Sequence, residues 1–214
     1  MTDDKNKSQK NNKPYLGDIL GESKEDNPKI NRQEEKKESS SQDPDVIEEN
    51  EMVDDEIFKA YILHRVVIET LNHCKRADPK EAIGILLGYK YQFKGQKYVK
   101  VVDWVTGKAN QSHAYAEFTP EGVRQYTTLI EEKYGGSENR PKIVGIFHSH
   151  PFGSNPHFSS TDYNTFLNFP YDAEHNVFVL IDPKSDYYKS YIVVIDEKGM
   201  KNLAEVEWVE YTVR

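Results

Sequence analysis

The segment His148-Ser149-His150-Pro151 concentrates more chemistry than any other in this 214-residue chain, and Ser159-Ser160-Thr161-Asp162 follows it after a short loop. In an extended chain residues i and i+2 project to the same face, so a strand end at this point presents both imidazoles side by side. Asp162, in the first turn of a helix that Ser159 or Ser160 caps, returns an oxygen donor toward the same point. Two histidines and a carboxylate suit zinc, which takes borderline nitrogen and oxygen donors, and three protein ligands leave a fourth tetrahedral position open. An open position implies catalysis rather than a structural site. The expected centre is one Zn2+ per chain on His148, His150 and Asp162.

A water activated at such a centre needs a base that is not itself a ligand. Glu81 is the candidate, standing where a helix-to-strand turn enters the apolar run Ala82-Ile83-Gly84-Ile85-Leu86-Leu87-Gly88. Desolvation there is expected to raise its pKa, which suits a proton shuttle. Each piece alone has a plainer reading: paired histidines are ordinary on surfaces, and a lone glutamate at a strand edge is ordinarily solvated. With His, His, Pro, Ser and Asp all fixed in spacing, chance matches are expected in roughly one in tens of thousands of chains at average residue usage. His157 in the loop reads as a bystander or a substrate contact, His113 as a loop residue, and His64, His73 and His175 have no motif around them. Cys74 reads as a small apolar residue on a helix face.

The elements that must position these residues follow from periodicity. Leu63, Val66, Val67, Thr70, Leu71 and Cys74 recur as one face of a helix, which Asp78-Pro79 ends. Residues 82–91 and 97–105 are β-rich runs around Phe93-Lys94-Gly95, an antiparallel hairpin. Thr119 and Pro120 open a helix that runs to Tyr134 and stops at Gly135-Gly136. A buried strand is expected at 142–147, a short helix at 160–169, strands at 176–181 and 190–195, and one last alternating strand at 204–213. Strands and helices mixed without strict alternation imply an α+β fold, a central mixed sheet flanked by helices.

Composition divides the chain. Residues 1–50 hold 13 acids and 9 bases against 8 hydrophobic residues, and read as a disordered polar tail with one apolar island, Tyr15-Leu16-Gly17-Asp18-Ile19-Leu20. Residues 51–214 carry the apolar content of a single domain. The acidic run from Glu48 to Glu56 between them reads as a solvated linker. No apolar window spans a membrane and no apolar run opens the chain, so a cytoplasmic protein with no membrane partner is expected. One cysteine excludes an internal disulfide framework and fits a reducing compartment. A net charge of -8 without a basic stripe gives nucleic-acid binding little support.

The set Glu81, His148-x-His150-Pro151 and Ser159-x-x-Asp162 resembles the JAMM signature of the MPN+ zinc metalloproteases, which include proteasome-lid-type ubiquitin isopeptidases and their prokaryotic and archaeal relatives. The likeness extends to Glu81-Ala-Ile-Gly84-Ile-Leu-Leu-Gly88, Val144-Gly-Ile-Phe-His-Ser-His-Pro151, Val179-Leu-Ile-Asp-Pro-Lys-Ser185, Val101-Val-Asp103 and Phe118-Thr-Pro120, over about residues 56–197. It implies the MPN (JAB/cytidine-deaminase-like) fold and zinc-dependent hydrolysis of peptide or isopeptide bonds at the C-terminal tail of ubiquitin or a ubiquitin-like protein. The substrate tail would pair with a strand edge near residues 106–118. A proteasome-related assembly is a further implied partner. The same resemblance makes His148, His150 and Asp162 the zinc ligands, Glu81 the general base and then acid, and Ser159 the donor to the oxyanion. Between Pro151 and Ser159 the chain is one residue longer than the family's usual spacing, which leaves both Ser159 and Ser160 as candidates for that contact. Two other functions stand beside this one: trimming of a sulfur-carrier precursor or small peptides, and a catalytically silent scaffold.

Overall fold

Alternation along one strand sets the layers of this protein. The computed structural model describes residues 46–48, 58–153, 157–168 and 170–213. Strand β3 (Ile83–Phe93) is buried on both faces over its first half. Ile83, Ile85 and Leu87 point to one side, where they join Tyr126 and Ile130 of helix α2 (Pro120–Tyr134) and Phe166 of α3 (Ser160–Phe166). Leu86 points to the other, against Val66, Val67 and Cys74 of α1 (His64–Ala77). Burial on both faces explains why the sequence there is a continuous apolar run rather than an alternating one.

Nine of the described strands bind into one mixed sheet. Strand β4 (Gln96–Val105) returns antiparallel to β3 through Lys94 and Gly95, both at positive φ as a tight hairpin turn requires. On the other side β3 pairs antiparallel with β7 (Lys142–Ser149), which pairs parallel with β8 (Val177–Asp182), and β9 (Tyr187–Ile195) folds back antiparallel on β8. Outside β4 lies β2 (Ala60–Leu63), a strand that sequence periodicity merges into the approach to α1. Strand β1 (Val46–Glu48), inside the stretch read as a tail, pairs parallel with residues 90–92 of β3. The rest of that stretch, including the island at 15–20, lies outside the described residues.

The single strand expected at 204–213 is two. Strand β10 (Lys201–Val206) pairs with β9, and β11 (Trp208–Tyr211) pairs with β2, so neighbours in sequence occupy opposite ends of the order β10-β9-β8-β7-β3-β4-β2-β11. One intervening residue, Glu207, can join those ends only if the sheet curls until they meet. Tyr188 of β9 and Trp208 of β11 pack across the closure with ring centroids 5.5 Å apart, and α1 sits against it through the Thr70 hydroxyl, 2.6 Å from that of Tyr188. Two further elements depart from expectation. Residues 109–112 and 115–118 form a separate hairpin, β5 (Ala109–Ser112) and β6 (Tyr115–Phe118). The helix expected at 160–169 stops at Phe166, where Leu167 caps it. The fold is α+β as expected, a mixed, curled sheet flanked by helices.

Candidate metal centre

Register places the centre at the shared end of β3 and β7. Ile83 lies opposite His148, so continuing the antiparallel ladder sets Ala82 opposite Ser149 and Glu81 opposite His150. With a side-chain period of two, Glu81, His148 and His150 share the face that α3 covers, whereas Ala82 and Ser149 share the face of α1. All three centre residues are buried, Glu81 and His148 to 2% exposure and His150 to 4%. Parallel β8 holds the end of β7, since His150 N–H donates to Ile181 O at 2.9 Å. Glu81 N–H donates to Ser112 O at 2.8 Å, which pins the β5–β6 hairpin beside the centre.

Close packing fixes this strand pair. A Cβ on Gly84 would come within 2.1 Å of the Phe147 ring, so only glycine lets β3 run beside the residue that precedes His148.

The fourth residue comes from α3. Ser159 is its N-cap: its hydroxyl accepts from Asp162 N–H at 3.1 Å, while Ser159 N–H donates to Asp162 Oδ2 at 2.8 Å. This reciprocal capping box orients the aspartate as it starts the helix. Of the two serines left open above, Ser159 therefore caps, and its hydroxyl also donates to Asp162 Oδ2 at 2.6 Å. Phe166, one turn further along the same helix face, anchors α3 by stacking on Phe178 at 4.9 Å and meeting Phe158 edge-on at 4.9 Å.

The donor atoms converge. His148 Nε2 lies 3.0 Å from Glu81 Oε2 and 3.4 Å from Asp162 Oδ1, and His150 Nε2 lies 3.8 Å from Glu81 Oε1 and 3.2 Å from Asp162 Oδ2. Neither ring nitrogen of buried His148 has a hydrogen-bond partner among the described residues. A buried imidazole whose Nε2 faces two carboxylates without making a hydrogen bond is placed to take a metal ion on that nitrogen. Burial alone would raise the pKa of Asp162, but His150, His148 and Ser159 hold it down to about 2, so the carboxylate is ionised as a ligand requires. Glu81, His148 and His150 place one donor each within 4.8 Å of one another and could hold a metal ion.

The remaining residues singled out by sequence lie elsewhere or serve packing. His157 is exposed, and His113 is exposed in the two-residue turn of the β5–β6 hairpin. His64 pairs with Glu210, and His73 packs against Trp104 and Phe147. Cys74 is fully buried on the α1 face, and burial pushes its thiol pKa up to about 12. Sequence reading missed Phe158 and Phe166, the aromatic pair under α3, and Phe152, whose exposed ring lies 5.3 Å from that of His150. The i, i+4 spacing of Asp162 and Phe166 was the available signal.

The family profile of the prokaryotic homologs of the JAB domain matches residues 63–194. The solution structure of protein DSY2949 from Desulfitobacterium hafniense is similar over 72% of this chain and 94% of its own, with 22% identity and a TM-score of 0.46. No curated protein matches the chain. The family match runs from the N-cap of α1 into β9 and contains every residue of the centre, and the chain belongs to the prokaryotic JAB-domain homologs.

Proposed function

We propose that this protein is a zinc metalloprotease that hydrolyses the peptide or isopeptide bond after the C-terminal tail of ubiquitin or a ubiquitin-like protein, working in the cytoplasm. The observation that carries the reading is the placement of a buried glutamate against two histidines and an aspartate whose donors all converge. His148, His150 and Asp162 would hold the ion. Zinc, when bound, supplies Lewis acidity toward the scissile carbonyl and lowers the pKa of water toward about 7. Glu81, buried and within reach of both imidazoles, takes the proton of the attacking water and delivers it to the departing amine. Ser159, capping α3 beside Asp162, would turn its one hydroxyl proton from Asp162 Oδ2 to the oxyanion as the carbonyl becomes tetrahedral, a contact worth roughly 3 kcal/mol.

The β5–β6 hairpin supports the substrate class. Joined to the backbone of Glu81 through Ser112, it offers a two-stranded ribbon to which an extended tail adds as a third strand. The test is cleavage of a linear fusion to the C-terminus of a ubiquitin-like protein by the zinc-loaded chain. Wild type is expected to cleave and Glu81→Gln to lose about 100-fold or more. Equal cleavage by both would overturn the mechanism. Cleavage of a sulfur-carrier precursor alone would move the substrate, and absence of stoichiometric zinc, with no loss on His148→Ala, would favour the silent, metal-free scaffold.

A further inference from the structure

Between the two histidines sits a residue that the mechanism does not use. Ser149 is fully buried and, by strand alternation, faces α1 rather than the donors. On this side the β3–β7 ladder is completed in an unusual way. Ser149 N–H donates to Ala82 O at 2.9 Å, as a backbone ladder requires, but the return bond runs from Ala82 N–H to the Ser149 hydroxyl oxygen at 2.7 Å. A side chain thus completes the ladder where β3 begins, and Ala82 is wholly buried, so no water is available to that N–H. Behind it on the α1 layer lies Cys74, buried in the same cluster as Ala82.

Glu81 is the residue immediately before this bond. Its own N–H is held by Ser112 O, and the next N–H along the chain by Ser149. We infer that Ser149 is a positioning residue: its hydroxyl locks the backbone at Ala82 and so holds the Glu81 carboxylate in register with His148 and His150. The inference rests on the proposed function. Alanine at 149 would leave a buried donor without an acceptor, and the entry to β3 would have to shift to satisfy it. A displacement of about 1 Å is enough to cost roughly 100-fold in a rate that depends on a positioned base. Threonine keeps the hydroxyl and so keeps the bond.

The experiment compares full-length wild type, Ser149→Ala, Ser149→Thr and Glu81→Gln by three readouts: the visible bands of the Co2+-loaded protein, kcat and KM on the ubiquitin-like fusion, and the thermal midpoint. Ser149→Ala is expected to bind one equivalent of cobalt with bands displaced from wild type, and to lose about 10- to 100-fold in kcat at unchanged KM. Ser149→Thr is expected to restore both. Wild-type bands and kcat in Ser149→Ala, with only the thermal midpoint lowered, would overturn the inference and leave Ser149 a packing residue. Should wild type cleave no fusion, the proposed function fails while the cobalt bands still decide the role of Ser149. Should Ser149→Ala not fold, Ser149→Cys decides by the same readouts: its sulfur is a weak acceptor for the Ala82 N–H, so displaced bands and a lowered kcat are expected, whereas unchanged bands and kcat would refute the role.

Discussion

Phe166 and His148 meet edge to face, ring centroids 6.0 Å apart at 71°, and this contact ties the helix that carries Asp162 to the strand that carries the histidines. Asp162 and Phe166 are one turn apart on α3, so burying the aromatic in the core aims the aspartate at the imidazoles.

Phe166→Ala should therefore act at a distance from the donors. The lost packing is expected to cost about 3–5 kcal/mol of stability, measured by chemical denaturation. Zinc affinity is expected to fall by about 10- to 100-fold because Asp162 loses its support, whereas Phe166→Leu retains most of both. Unchanged zinc affinity in a destabilised Phe166→Ala would separate the helix anchor from the centre.

A second buried carboxylate makes a pH prediction. Asp103 of β4 is 1% exposed and takes hydrogen bonds from Lys133 and Tyr134 of α2 and, at 3.0 Å, from Arg65 of α1. Burial alone would raise its pKa, but Lys133, Tyr134 and Arg65 hold it below the ordinary carboxylate range. A pKa depressed in the folded state stabilises the fold above the unfolded value, near 3.9, and that contribution is lost as pH falls through the folded value. Asp103→Asn should lose about 1–3 kcal/mol at pH 7 and show a shallower acid limb as pH falls below the unfolded value, read by denaturation at several pH values. Parallel acid limbs for the two proteins would show that Asp103 is not the group responsible.

Deleting residues 1–50 removes β1, which pairs at residues 90–92, the end of β3 remote from Glu81. Zinc content is expected to stay at one per chain, with the thermal midpoint lowered by about 2–4 °C for each kcal/mol of pairing lost. Loss of zinc on truncation would show that the segment supports the centre.

The centre was legible in sequence because its geometry is local. His148 and His150 share a face by strand alternation, and Ser159 meets Asp162 within one helical turn. The β3–β4 hairpin was legible for the same reason, through Lys94-Gly95 between two β-rich runs. What stayed hidden is held by contacts between distant segments. The hydrogen bond from Glu81 to the Ser112 carbonyl uses backbone atoms, which carry no residue signature. The β5–β6 hairpin turns at His113-Ala114 without the Gly or Asn that marks such turns. The break at Glu207 is invisible locally because residues on both sides alternate as strand, and only the curl of the sheet assigns β10 and β11 to opposite ends. Helix α3 ends early because Phe166 is already buried and its neighbour Leu167 turns into the cap.

The central claim is that His148, His150 and Asp162 hold a zinc ion while Glu81, 3.0 Å from His148 and 3.8 Å from His150, stays free to move a proton. Zinc content of the purified full-length chain and its variants tests this most directly. One zinc per chain is predicted in wild type and in Glu81→Gln, with loss in His148→Ala, His150→Ala and Asp162→Asn. A zinc-free wild type, or a Glu81→Gln that loses zinc while Asp162→Asn keeps it, would contradict the account.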